Sequence, residues 1–118
     1  LKVLVVEDNE INREIATFML EKAGIAPTCA TNGKEGLEKA KEGTYDCILM
    51  DVMMPVMGGL EATRQLRAMG VDIPIIAMSA NAFKDDVERS LNAGMNAHLS
   101  KPIDEKLLVK TIYKFCKK

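Results

Sequence analysis

Glu7 and Asp8 follow the apolar run KVLVV. Asp51 follows CILM, Ser79 follows PIIAM, and Ser100 closes AHLS with Lys101 next. Each has an ordinary reading when taken alone. Asp8 is a helix N-cap, Asp51 a turn residue, Ser79 a loop hydroxyl and Lys101 a solvated cation. Taken together they make three acids, two hydroxyls and a lysine at the ends of apolar runs. Carboxylates held close to one another repel, so they need a cation or must hold protons. Hard oxygen donors suit Mg²⁺, which keeps some waters and completes its shell with phosphate oxygens. A metal and a lysine around one carboxylate form an arrangement for phosphoryl transfer. Two positive centres neutralise the equatorial oxygens while the carboxylate attacks in line. Carboxylates serve as covalent phosphate acceptors. Asp51 suits that role best, because it stands alone at a run end before Met53, Met54 and Pro55.

The elements that must position these residues follow from periodicity. Strands are expected at 2–6, 26–30, 46–50, 74–78 and 97–100. Helices are expected at 10–23, 33–42, 60–69, 83–93 and 104–116. Gly24, Gly43, Gly70 and Gly94 follow the first four helices. Leu107, Leu108, Ile112 and Phe115 supply the apolar face of the last one. Strands that are apolar throughout are buried on both faces, as in a parallel sheet. Right-handed crossovers then place helices on both sides. The expected fold is a single doubly wound α/β domain. Its ligand crevice lies at the carboxyl ends of the strands, where the polar residues collect.

The chain has 118 residues, the usual size of one domain, and 47% hydrophobic residues, enough for a core. A net charge of −1 gives no support to a nucleic-acid surface or a membrane-surface patch. No apolar run approaches the roughly 18 residues of a membrane span. The start lacks the layout of a signal peptide. Cys29, Cys47 and Cys116 form no CxxC pair and read as reduced, packed thiols, which suits the cytoplasm. A first residue of Leu hints at a domain cut from a longer chain. There is no GxxxxGK[ST] phosphate loop, and EDNEIN lacks the glycines of a dinucleotide fingerprint.

The segments VLVVEDN, AxNGxEGLE, YDCILMDVMMPVMGG, PIIAMSA and HLSKPI, in this order and spacing, resemble the receiver domain of two-component systems across the whole of residues 1–118. The resemblance implies a flavodoxin-like, five-stranded parallel sheet of order 2-1-3-4-5 with five helices, which sets Asp8 beside Asp51. It implies that Asp51 accepts a phosphoryl group from a phosphohistidine of a histidine kinase or histidine phosphotransfer domain. Asp8 then binds Mg²⁺ directly, Glu7 mainly through water, and the Met53 backbone carbonyl completes the protein ligands beside Asp51. Lys101 pairs with the phosphoryl oxygens, and its bond to Pro102 is expected to be cis. Ser79 holds the switch hydroxyl position, and His98 stands where the family usually has Tyr or Phe. Met53 and Asn81 flank the acceptor and influence access of attacking water. Gly58 replaces the usual Asp of the MPxMDG motif, which removes a helix N-cap but no ligand.

The wording around EDNEIN, AMSANAF and GMNAHLSKPI is similar to receivers of hybrid sensor histidine kinases. A stand-alone response regulator that docks on a protein is the alternative. In the first helix Ile15, Ala16, Met19, Leu20 and Ala23 suffice for one buried stripe. Ile11 and Phe18 are left on the flank, where they are expected to dock against a phosphotransfer helix bundle. An aspartyl-phosphate phosphatase of the haloacid dehalogenase type requires a second Asp where Met53 stands. A flavin or nucleotide carrier on the same fold is less well supported still.

Overall fold

A computed structural model describes residues 1–52, 57–79, 84–101 and 103–116, with 84–86 described by backbone alone. Strands and helices alternate along the chain. The strands are β1 (Lys2–Val6), β2 (Ala26–Ala30), β3 (Cys47–Asp51), β4 (Ile75–Ser79) and β5 (Ala97–Ser100). The helices are α1 (Glu10–Lys22), α2 (Gly33–Glu42), α3 (Gly59–Ala68), α4 (Lys84–Asn92) and α5 (Glu105–Cys116). All strand pairs are parallel, in the order β2-β1-β3-β4-β5. The expected α/β class, strand order and helix number all hold.

The central strands β3 and β4 are buried along their whole length. β2, at one edge, is only half covered. Successive side chains of a strand point to opposite faces, so two cores form. On one face Val3, Val5, Cys47, Leu49, Ile76, Met78 and Leu99 pack against Ala16 and Leu20 of α1 and Leu108 and Ile112 of α5. On the other, Leu4, Val6, Ile48, Met50, Ile75 and Ala77 pack against Ala40 of α2 and Ala62 and Leu66 of α3. Each fully buried Leu or Ile contributes about 1.5–3 kcal/mol, and these sums hold the strand ends in place.

Several boundaries move by a residue, with consequences for the site. β3 runs 47–51, not 46–50, so Asp51 is the last ladder residue and not the first loop residue. β4 likewise takes in Ser79. The expected start of α4, Phe83, lies outside the described residues. Two apolar assignments need correction. Ile15 is 44% exposed and Leu107 50% exposed, so neither belongs to a buried stripe. Their neighbours Ala16 and Leu108 are the core residues, because consecutive helix positions lie about 100° apart and here the helix phase turns the first of each pair outward. Gly24, Gly70 and Gly94 end helices with positive φ, whereas Gly43 is extended.

Candidate functional site

Register gathers the site. Val6 pairs with Met50, Asp51 with Met78, and Ser79 with Ser100. The residues immediately past β1 and β5 therefore flank the end of β3. Glu7 extends the β1 ladder by donating its N–H to Ala30 O at 3.1 Å. Lys101 does the same for β5, donating to Ser79 O at 2.8 Å. Alternation puts Glu7, Asp51 and Lys101 on the face covered by α1 and α5, in line with Val5, Leu49 and Leu99.

The three side chains meet there. Lys101 Nζ donates to Glu7 Oε1 at 2.7 Å and to Asp51 Oδ2 at 3.0 Å. Glu7 is 1% and Asp51 3% exposed, while Asp8 is exposed. The carboxylate oxygens of Glu7, Asp8 and Asp51 lie within 4.8 Å of one another. Burial, and then the adjacent Asp51 carboxyl, push the Glu7 carboxyl above the usual range despite Lys101. Burial works against the Lys101 ammonium, but its bonds to Glu7 and Asp51 outweigh that and hold it above the usual lysine range. Three oxygen donors this close, with one of them pushed toward its protonated form, fit a hard divalent cation such as Mg²⁺.

Backbone architecture fixes each carboxyl. Asn9 caps α1 through its Oδ1, which accepts the Asn12 N–H at 3.0 Å, and its own N–H donates to Glu7 Oε2 at 3.3 Å. Arg13 Nη1 reaches back to Glu7 O at 2.8 Å and Asp8 O at 3.0 Å. Behind Asp51, Val52 continues the ladder to Met78 O at 3.0 Å. Gly59, the first residue of α3, then packs directly on the Asp51 carbonyl, and any Cβ there would collide with it. Gly58 caps α3 with extended backbone and no side-chain bond, so the cap lost in the sequence is lost in the structure. A cavity of about 80 Å³ beside the acids is lined by Glu7, Asn12, Ile15, Ala16, Met78, Lys101 and Ile103.

The structure thus brings together Glu7, Asp8, Asp51 and Lys101. Ser79 sits at the same edge, buried, one residue past the register partner of Asp51. His98 is half-buried on β5 opposite Ala77, away from the acids along the strand. Met53, Asn81 and Pro102, and with them the expected metal-ligating carbonyl and cis bond, lie outside the described residues. Ile11 is 67% and Phe18 65% exposed, off the core as expected. With Ile15 they form a three-residue stripe along α1. Arg13 was not foreseen. Its role leaves no signal in the sequence, because its partners are the backbone carbonyls of Glu7 and Asp8.

Comparison with known proteins agrees with this architecture. The family model for the response regulator receiver domain matches residues 3–113. Hybrid signal transduction histidine kinase I of Dictyostelium discoideum is 44% identical over 120 residues. That match covers 94% of this chain but only 7% of the kinase, so the chain spans a small part of that relative. The receiver domain of sensor histidine kinase PA1611 from Pseudomonas aeruginosa PAO1, with a magnesium ion coordinated in its active site cleft, superposes with a TM-score of 0.92 at 38% identity, over 99% of this chain and 98% of that one. The receiver domain of Saccharomyces cerevisiae Ssk1, in co-crystals with the histidine phosphotransfer protein Ypd1, superposes with a TM-score of 0.94 at 33% identity, over 98% of this chain and 88% of that one. With the strand order, the edge cluster and a family match over nearly its full length in agreement, the chain belongs to the response regulator receiver domain family.

Proposed function

We propose that residues 1–118 work as one receiver unit in which Asp51 is the phosphoryl acceptor of a two-component phosphorelay. The observation that carries this is the buried Asp51 carboxylate with the Lys101 ammonium at 3.0 Å and two further carboxylates within 4.8 Å. Glu7, Asp8 and Asp51 would hold Mg²⁺, with the Met53 carbonyl as a further ligand. The ion supplies charge neutralisation for the phosphoryl oxygens. An Asp51 oxygen attacks phosphorus of a phosphohistidine. The P–O bond forms as the P–N bond breaks, and the imidazole nitrogen keeps the electron pair. Lys101 transfers its hydrogen bond from the Asp51 oxygen to the phosphoryl oxygens. Onward transfer to a histidine phosphotransfer domain is the reverse reaction on a second imidazole.

The exposed stripe of Ile11, Ile15 and Phe18 supports a helical partner docking beside Asp51. The Ypd1 complex of a receiver with the same fold supports the same type of partner. The similarity to a hybrid kinase receiver supports a hybrid sensor histidine kinase as the parent chain, acting on the cytoplasmic side. Among the described residues no helix is long and apolar enough to cross a membrane. Phosphorylation adds roughly two negative charges at Asp51, and Ser79 and His98 are the switch residues that respond on β4 and β5.

Intact mass after acetyl phosphate with Mg²⁺ tests the acceptor. One phosphate adduct is expected, absent in Asp51→Asn and absent when the cation is chelated. Equal labelling of the variant refutes the assignment.

A further inference from the structure

Two of the three thiols meet at the opposite edge of the sheet. Cys47 opens β3 and is 0% exposed, and Cys116 lies half-buried in the last turn of α5. Cys116 Sγ donates to Asp46 O at 3.3 Å. That oxygen belongs to the carbonyl bonded to Cys47 N, so the two side chains share one peptide unit as their floor. Cys47 Sγ donates to Ile48 O at 3.8 Å, and Cys116 packs against the core cluster that holds Cys47. Cys29, by contrast, lies two strands away on β2 and contacts Thr17 Oγ1 at 3.4 Å. The chain therefore contains one thiol pair and one solitary thiol for comparison.

We propose that Cys47 and Cys116 form a redox modification site at which a hydroperoxide closes an intramolecular disulfide. The two cysteines divide the work by exposure. Cys116 reaches solvent and attacks first. Its S–O bond forms, the peroxide O–O bond breaks, and the leaving oxygen takes a proton to become water or an alcohol. Cys116 is then a sulfenic acid. The Cys47 sulfur attacks the Cys116 sulfur, the S–S bond forms, and the S–O bond breaks. The hydroxide leaves with the Cys47 proton as a second water. Two thiols lose two electrons and two protons, and the peroxide gains both. The neighbouring Cys47 thiol holds the Cys116 thiol below its usual range, which favours its thiolate. That same contact, with burial, holds the Cys47 thiol up and suits it to the later step.

The disulfide would tie the end of α5 to the start of β3. Asp51 lies four residues further along β3, about 13 Å away at the rise of a strand, so the acceptor pocket stays open. The site is therefore separable from phosphorylation.

The test uses the whole 118-residue chain, fully reduced and then exposed to hydrogen peroxide. Intact mass and peptide mapping without reductant are read over time. The expected result is loss of two hydrogens, one Cys47–Cys116 linked peptide, and reversal by dithiothreitol. Linkage should proceed about tenfold faster than oxidation of Cys29, and Cys29→Ser should leave it unchanged. Cys116→Ser, a near-isosteric change at a half-buried position, should abolish it. Cys47→Ala should leave Cys116 as a sulfenic acid trapped by dimedone. Oxygen addition at Cys116 in the native chain without linkage overturns the proposal. So does oxidation of Cys29 ahead of the pair, or linkage that survives in Cys116→Ser. The native-chain measurement decides the matter even where a variant fails to fold.

Discussion

Glu7→Gln should stabilise the metal-free domain, although it removes half of a buried ion pair. With an effective dielectric constant near 20, Lys101 at 2.7 Å attracts an ionised Glu7 by about 6 kcal/mol. Asp51, within 4.8 Å, repels it by about 3.5 kcal/mol on the same scale. Exposed Asp8 adds about 1 kcal/mol of repulsion through water. The remaining attraction does not offset the several kcal/mol that burying a carboxylate costs. This balance agrees with the raised pKa of Glu7. A folded-state pKa above the unfolded value means the folded chain holds the proton more tightly. Wild-type stability therefore falls as pH rises from the ordinary glutamate range through the raised folded value. Gln keeps the shape and a hydrogen-bond acceptor for Lys101 without the charge. In chelator at neutral pH we expect the variant to gain about 1–2 kcal/mol, a midpoint rise of about 4 °C or more. Millimolar Mg²⁺ should reverse the order, because wild type binds the ion with one more charge. Thermal melts at several pH values, with and without Mg²⁺, supply both readouts. A less stable variant in chelator, or wild-type stability that climbs from pH 5 to 8, refutes the reasoning.

Gly58→Asp should stabilise by about 0.5–1 kcal/mol, from the restored cap and a stiffer unfolded chain, since φ of −72° suits any residue and a Cβ there meets only Val52 O, at 3.3 Å, which must give by a few tenths of an ångström; a lower urea midpoint would show that it does not. Arg67→Met should cost about 3 kcal/mol by the same assay. The guanidinium bonds to Gly94 O, Val71 O, Ile73 O and Asn96 Oδ1 at 2.8–2.9 Å and would leave three carbonyls to find water. Phe18→Ala should change stability by no more than about 0.5 kcal/mol, because the ring is 65% exposed. Transfer from a phosphorylated histidine phosphotransfer domain should nevertheless slow about tenfold, as for a docking hot spot; an unchanged rate removes the α1 stripe from the interface.

The doubly wound class and the polar edge were legible from the apolar runs, whereas the strand order came with the family resemblance, because run lengths do not choose among doubly wound orders. Glu7, Asp51 and Lys101 are each one residue past, or at the end of, such a run. What the run ends cannot give is which groups touch. The Lys101 bonds to Glu7 and Asp51 span 94 and 50 residues and depend on register alone. Ile15 and Leu107 were placed in the core because a hydrophobic count does not fix helix phase when two apolar residues are adjacent. Arg13 and Arg67 went unread for a different reason. Apart from Asn96 Oδ1, their partners are backbone carbonyls, and a carbonyl leaves no mark on the sequence.

The two edges of the sheet solve opposite problems. At the amino edge the contacts are mutually satisfying. Arg67 pins the end of α3 to the loops before β4 and β5, and Asp46 Oδ2 accepts the Lys2 N–H at 2.8 Å while its carbonyl accepts from Cys116. At the carboxyl edge three acids share one lysine, so the charges do not balance without a cation. A cluster of that kind persists only on a frame whose other end is secured, because the repulsion acts to part the strands that carry it. The close seat of Gly59 on the Asp51 carbonyl serves the same purpose locally, holding β3 where side-chain bulk would displace it. On the proposed function, a cation would relieve the charge imbalance at Asp51 and offset the charge that a phosphoryl group adds there.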